Sequence, residues 1–331
     1  MLRCVIVVGV LLQLTFRDAI PGVAVLYYAL PRAILLVLAV TVSGICALQR
    51  KRVSSFVWGA AAVAIAGWWY ATEWRTSPST ASAGGIRVMD WNVCRGYAGW
   101  DAIIRRIEAE QPDLVALGET EHPADELRAM WRRRLPQYDI SFVGAGMMCL
   151  VRGTSSQSRV LQVDDYTQAR ELDATIGGVM YRCLLVDVYA HPLYDRQRAL
   201  TVLAALADRS ADVPLLILGD FNTPPESRHF SDLRRNHGNA FELAGSGYAA
   251  TWPSLAPVLS LDQVWVNARI DVLECHHGRT GASDHRPVLL TIRPAQSLPL
   301  AAPVQDAAGG NRPRNPARRA AETATVRPPG T

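Results

Sequence analysis

The chain has 331 residues, 49% of them hydrophobic, and a formal charge of +4, enough for one or two domains with a sizeable core. The charge is uneven: residues 1–83 carry a net +5, residues 294–331 a net +3, and the intervening 84–293 a net −4. That acidic central region gives no support to a general duplex-DNA binder, which would present a basic face to the phosphates.

The first segment, residues 4–16, is an apolar run that is short for a bilayer span. Residues 19–48 are apolar apart from Arg32, broken by Pro21 and Pro31, with their strongest stretch at 33–48. Arg50, Lys51 and Arg52 follow, and then a second long run, 53–71. Trp68, Trp69, Tyr70 and Trp74 close it as an interfacial aromatic belt would. Two spans around a basic tip predict a helical hairpin, and residues 4–30 make the count of transmembrane helices two or three. The positive-inside rule puts the tip in the cytoplasm, so Trp74 and the rest face the extracytoplasmic side of the cell membrane. Residues 1–75 therefore read as a membrane anchor and 76–85 (TSPSTASAGG) as a small-residue linker.

Past the linker, short β-like runs alternate with polar helical stretches. Strands are predicted at Ile86–Val93, Leu114–Leu117, Met147–Val151, Cys183–Ala190, Leu215–Leu218, Leu261–Val266 and Val288–Ile292. Helices are predicted at Asp101–Glu110, 123–134 and Arg196–Arg209. This mixed order predicts an α/β or α+β domain with packed sheets over 86–293. Residues 294–331, rich in Pro, Ala, Gly and Arg with no apolar period, read as a disordered tail. The six cysteines form no CxxC pair and read as mostly buried small apolar residues.

Polar residues stand where the predicted strands end or begin. Asn92 follows IRVMDW, Glu119 follows LVALG, His191 follows LLVDVYA, and Asp220 and Asn222 follow LLILG. Asp262 precedes QVWV, and Asp284 and His285 precede RPVLLTI. Each has a bland reading alone: Asp220, Asn222 and Asp284 as turn formers, His191 as a strand end before Pro192, and Glu119 with Glu121 as a helix N-terminal charge pair. Together they suggest a site that a rigid sheet assembles from distant sequence. Carboxylate and amide oxygens suit Mg²⁺ or Mn²⁺. Adjacent Cys275, His276 and His277 are poorly spaced for one tetrahedral zinc.

These blocks resemble the endonuclease/exonuclease/phosphatase superfamily, which includes pancreatic deoxyribonuclease-like and exonuclease III-like nucleases, neutral sphingomyelinases and inositol polyphosphate phosphatases. VMDWN (88–92), PDLVALGE (112–119), VYAH (188–191), LILGDFN (216–222), LDQVWV (261–266) and SDHRPV (283–288) occur in the family's order. The N-terminal layout resembles membrane-anchored bacterial members. The resemblance implies a four-layer α/β sandwich, two packed β-sheets flanked by helices. It implies Glu119 as a metal ligand with Asn92 close by, and Asp284 completing the metal shell or the layer around it. Asp220 would orient or deprotonate the attacking water, and Asn222 would hold that water or the phosphate. His191 and His285 would donate to phosphoryl oxygens, with Asp262 fixing His285. Arg152 occupies a place where relatives often carry an arginine near the phosphate. Cys94, Gly118 and Gln263 depart from common choices.

The implied function is a membrane-anchored, divalent-metal-dependent hydrolase of a phosphodiester or phosphomonoester, acting by in-line water attack. The rival is an inactive relative serving as a membrane-attached binding or scaffold module. Nucleic acid, lipid headgroups and small phosphate esters all remain open as substrates. The expected partners are that substrate and the lipid bilayer; no protein partner is indicated.

Overall fold

The computed structural model describes residues 1–20, 22–77, 84–121 and 125–295. The N-terminal part consists of helices α1 (Leu2–Leu14), α2 (Ala24–Ala29), α3 (Arg32–Leu48) and α4 (Arg52–Glu73), followed by strand β1 (Trp74–Thr76). Arg3 Nη2 reaches Cys46 Sγ at 3.0 Å, while Gln13 Nε2 reaches the Leu30 carbonyl at 3.1 Å. The helix α1 therefore runs antiparallel to α3. Ser43 and Ser55 each donate to the other's carbonyl, at 2.9 and 3.1 Å, and clasp α3 to α4. At a rise of about 1.5 Å per residue, α3 is about 25 Å long and α4 about 33 Å. Only α4, among the described residues, is long and apolar enough to cross a membrane; α1 and α3 are shorter apolar helices. Their outer faces are bare: Leu48 is 87% exposed, Val53 80% and Phe56 78%.

The open end of this hairpin is tied to the rest of the chain. Arg32 Nη1 lies 3.1 Å from Glu73 Oε1 and 2.7 Å from Glu226 Oε1, and all three side chains are largely buried. The strand β1 pairs antiparallel with Ser246–Tyr248, and the Trp74 ring stacks on Tyr248 at 5.0 Å. The expected linker thus begins inside a strand, at Thr76; residues 78–83 lie outside the described residues.

Beyond it the chain alternates strands and helices: β2 (Ile86–Asn92), α5 (Trp100–Glu110), β3 (Leu114–Gly118), α6 (Asp125–Arg134), β4 (Asp139–Gly144), β5 (Met147–Val151), β6 (Thr154–Ser155), β7 (Arg159–Val160), β8 (Gln168–Ile176), β9 (Val179–Asp187) and α7 (Arg196–Asp208). Then come β10 (Leu215–Asp220), β11 (His237–Asn239), α8 (Ala240–Ala244), β12 (Ser246–Tyr248), β13 (Asp262–Asn267), β14 (Ile270–His277) and β15 (Val288–Pro294). One sheet has the order β14-β15-β2-β3-β5-β4; the other has β11-β13-β10-β9-β8-β6, with β7 also on β8.

Strand alternation explains the layering. Val88, Leu114, Ala116, Cys149, Leu185 and Leu218 point inward and fill the space between the sheets. Met89, Trp91, Val115 and Leu117 point outward and pack on Ile103, Ile104 and Ile107 of α5 and Trp131 of α6. On the second sheet Leu184, Leu215 and Ile217 pack on Leu200, Leu203 and Ala204 of α7. The expected four-layer sandwich is therefore present. All six cysteines are unpaired, and Cys149, Cys183 and Cys275 are buried in the core. The expected disordered tail overlaps the end of β15 at Pro294; residues 296–331 lie outside the described residues.

Candidate active site

The polarity of the strands decides which polar residues meet. β2 and β3 are parallel, so Asn92 and Glu119 emerge at the same end. β13 runs antiparallel to β10, which sets Asp262 opposite Asp220, and β15 runs antiparallel to β2, which brings Asp284 and His285 to that end as well. The two sheets converge there. Asn92 Nδ2 donates to Glu119 Oε1 at 2.9 Å and to Asp220 Oδ2 at 3.2 Å. His285 Nδ1 lies 2.8 Å from Asp262 Oδ2, and its Nε2 is 3.9 Å from Asp220 Oδ2.

The local backbone is built for this meeting. Gly219 has φ +144°, and a Cβ there would lie 1.9 Å from the Val186 carbonyl oxygen, so glycine is required just before Asp220. Glu119 (φ 51°), Asn222 (φ 47°), Cys94 (φ 44°) and Arg95 (φ 55°) all occupy the left-handed region, a concentration of backbone strain characteristic of functional sites. The Asn92 carbonyl accepts from Ser283 Oγ at 2.7 Å, and the Cys94 amide donates to Asn92 Oδ1 at 3.0 Å, which locks the amide.

Burial and charge set the protonation states. Burial pushes Asp220 up, aided by the Asp262 charge and opposed by His285, to about 7. Burial opposes a charge on His285, but the Asp262 carboxylate outweighs it and raises the imidazole to about 10. This pair is a cation held by a buried anion. Two further carboxyls belong to the cluster and were not among the residues singled out from the sequence. Asp187, opposite Asp220 in the β9–β10 register, lines the cavity and is raised by burial to about 6. Asp90 is fully enclosed between the sheets and held well above the usual carboxylate range by burial and by Asp262 and Asp220; its Oδ2 has no partner. Period-two counting back from Asn92 would have found Asp90, because residues 88, 90 and 92 share a face.

A cavity of about 650 Å³ opens onto this cluster, lined by Glu119, Asp187, Asp220, Asn222 and His285 among others. Asn222 sends Nδ2 to the Val188 carbonyl at 2.8 Å, and its amide donates to Asp220 Oδ1 at 2.8 Å. His191 is exposed between Ala190 and Pro192, which line the cavity, and its ring stacks on Tyr189 at 6.0 Å. Its Nδ1 accepts from the Leu193 amide at 3.3 Å, leaving Nε2 to carry the proton. Asp284 Oδ2 accepts from Trp252 Nε1 at 3.3 Å, and the Cys94 thiol hydrogen-bonds to its carboxylate.

Arg152 is not brought to the others, which corrects its expected phosphate contact. β5 runs antiparallel to β3, so the residue after it lies at the opposite end of the sheet, where its amide donates to the Asp113 carbonyl. Its guanidinium sits 5.3 Å over the Tyr138 ring. The arginines lining the cavity are Arg95 and Arg196. Gln263 is buried and donates to the Thr223 carbonyl at 2.6 Å, and a Cβ at Gly118 would meet Asn92 only at 3.8 Å. Neither departure disturbs the cluster.

The donor set fits a divalent cation. Asp220, Asp262 and His285 offer ligand atoms within 4.8 Å of one another. A protonated imidazole cannot ligate, however, and Asp262 is committed to it. The oxygens better suited are those of Glu119 and Asp220, joined by Asn92 and facing the cavity. Hard oxygen ligands of this kind suit Mg²⁺ or Mn²⁺.

The model of the Endonuclease/Exonuclease/phosphatase family matches residues 91–285, more than half of the chain. No curated protein matches it in sequence. Among solved structures, truncated TDP2 from Caenorhabditis elegans superposes with a TM-score of 0.52 at 18% identity, covering 64% of this chain and 98% of that one. An endonuclease/exonuclease/phosphatase from Bacteroides vulgatus gives 0.52 at 17%, covering 63% and 99%. D. rerio TDP2 complexed with single-strand DNA product gives 0.51 at 12%, covering 63% and 99%. At these identities the likeness speaks for the fold alone.

Proposed function

Because the chain belongs to the endonuclease/exonuclease/phosphatase family, whose members are generally phosphoester hydrolases, we propose that it is a membrane-anchored, divalent-metal-dependent phosphoesterase. The observation that carries this reading is the convergence of Asn92, Glu119, Asp220 and the Asp262–His285 pair on one cavity. A bound Mg²⁺ or Mn²⁺, held by Glu119 with Asn92 and Asp220 beside it, would offset charge on the phosphoryl oxygens. Asp220, near 7, takes a proton from the attacking water close to neutral pH. The water oxygen bonds to phosphorus as the opposite P–O ester bond breaks. Protonated His285 donates to a non-bridging oxygen, where negative charge builds in the transition state. His191 at the rim offers a second donor.

The anchored reading is supported by the bare apolar faces of α1, α3 and α4. Arg3, Arg50, Lys51 and Arg52 gather at the end of these helices remote from the Arg32–Glu226 contact. The positive-inside rule then puts the catalytic domain on the extracytoplasmic side.

The test is hydrolysis of bis-p-nitrophenyl phosphate by the full chain in detergent with Mg²⁺ or Mn²⁺. Turnover is expected, and Asp220→Ala is expected to lower kcat by about 10³ or more. No turnover by the wild type would favour an inactive binding module, and undiminished turnover by Asp220→Ala would remove Asp220 from the chemistry.

A further inference from the structure

The catalytic cavity has a wall that comes from outside the family-matched span. Val25, Tyr28 and Ala29 of α2 line it together with Glu119, Asp220 and His285. This wall is fastened to the catalytic domain. Tyr28 donates its hydroxyl to Asp18 Oδ2 at 2.9 Å, and the Arg228 amide donates to Asp18 Oδ1 at 3.1 Å. Arg228 Nη2 reaches the Thr15 carbonyl at 2.6 Å, and Arg17 Nη1 reaches the Glu226 carbonyl at 2.5 Å. The Arg196 guanidinium covers the Tyr28 ring at 5.0 Å.

The wall also stands at the base of the helical hairpin. α2 ends three residues before Arg32, whose partner Glu226 lies four residues past Asn222. The segment that carries it exposes large apolar side chains: Phe16 is 55% exposed, Leu26 47% and Ile20 41%. If the helices cross a bilayer, these side chains sit at its surface, beside the opening where the ester is cleaved. Trp252, Leu259 and Leu261 add apolar surface to the lining of the same cavity. The charged lining is mixed: Glu119, Asp187 and Asp220 face Arg95, Arg196 and His285, and both terminal nitrogens of Arg196 donate to the carbonyls of Tyr194, Ala190 and His191.

We propose that α2 is the specificity wall of the catalytic cavity and that the ester it admits is a membrane-resident amphiphile, a phosphate ester whose apolar tail stays in the bilayer beside the helices. This rests on the phosphoesterase reading above and names its substrate class. Apolar surface at the cavity mouth lowers the cost of drawing such a head group out of the interface. It offers nothing comparable to a short-chain ester in solution. The reaction adds water across one P–O bond and leaves a phosphate on one fragment and a hydroxyl on the other.

The test uses the full chain reconstituted in phosphatidylcholine vesicles with Mn²⁺ and two esters with the same leaving group, ethyl p-nitrophenyl phosphate and hexadecyl p-nitrophenyl phosphate. The wild type is expected to favour the hexadecyl ester in kcat/KM by about tenfold or more. Val25→Asp and Ala29→Trp are each expected to lower that ratio by about fivefold or more. Both rates come from one preparation, so the ratio does not depend on the fraction of folded protein. A wild-type ratio near one, a ratio unmoved by both substitutions, or a higher kcat/KM on a single-stranded oligonucleotide would overturn the proposal while leaving the phosphoesterase intact. Failure to cleave any of the three would defeat the phosphoesterase reading itself, and the proposal with it.

Discussion

Asp262→Asn isolates the electrostatic core of the proposed mechanism. The substitution keeps the shape of a fully buried side chain and removes its charge. In the native protein Asp262 lies 2.8 Å from His285 Nδ1 and, with lesser help from Asp220 and Asp284, raises the imidazole from an ordinary 6.5 to about 10 despite burial. That interval corresponds to about 5 kcal/mol in favour of the cation, at ~1.4 kcal/mol per tenfold. With the carboxylate gone, burial pulls the other way and His285 loses its charge at a lower pH. The rate at neutral pH should fall by about 10²–10³, as for loss of a transition-state donor. The alkaline limb of the kcat/KM profile should move down from near 10. The sign for stability is the same: a raised folded-state value stabilises the fold below 6.5 and ceases to do so as the pH passes through about 10. The variant should therefore melt lower at neutral pH. The assay is a pH–rate profile on bis-p-nitrophenyl phosphate, run on Asp262→Asn, His285→Asn and the double variant. If Asp262 acts through His285, the double variant is no slower than His285→Asn alone. Additive losses, or an alkaline limb that stays in place, would refute the reasoning.

Glu119→Gln should raise the Mg²⁺ concentration needed for half-maximal rate by about tenfold or more; an unchanged metal titration would remove Glu119 from the metal shell. Arg152→Ala should leave kcat/KM within about twofold of the wild type, because its guanidinium packs on Tyr138 at the far end of the sheet. A loss beyond about tenfold would restore a role in phosphate binding. His277 stacks on Phe241 at 4.6 Å, and burial depresses it to about 4. A depressed histidine leaves the fold at full stability above 6.5 and destabilises it as pH falls toward 4. After a discount for its partial exposure, His277→Gln should recover about 1–2 kcal/mol of that acid loss. This would appear as a flatter Tm profile between pH 6.5 and 4, and a profile parallel to the wild type would contradict it.

Much of the sandwich was legible because its central strands are nearly continuous apolar runs ending in Asn, Glu or Asp. β8 was not. Its sequence QARELDATI carries Arg170, Glu171 and Asp173 in a central position, which reads as a polar helix or loop. The charges are tolerated because Arg182 on β9 lies 2.8 Å from Asp173, and Arg159 on β7 pairs with Glu171. β14 was missed for another reason: a register shift between Val272 and Glu274 breaks the alternation that would have announced it. Nothing in the sequence around Glu226, just after GDFNTPP, marks it out, yet it accepts from Arg32 across the molecule, a pairing that no local pattern encodes.

The fate of Arg152 shows what a strand-end rule needs to be reliable. A residue after a strand reaches the site only if that strand runs parallel to β2; a residue before a strand reaches it only if that strand runs the other way. Asn92 and Glu119 meet the first condition, and His285, before antiparallel β15, meets the second. In the other sheet Asp220 and Asp187 leave parallel strands at one end, while Asp262 enters antiparallel β13 at that end. Arg152 follows an antiparallel strand and fails the test. The rule also admits Asp187, which the sequence pattern passed over because Val188, Tyr189 and Ala190 continue the apolar run past the end of β9. Strand direction is set by connections and pairing over the whole domain. The residue types of the site were therefore readable locally, but its membership was not.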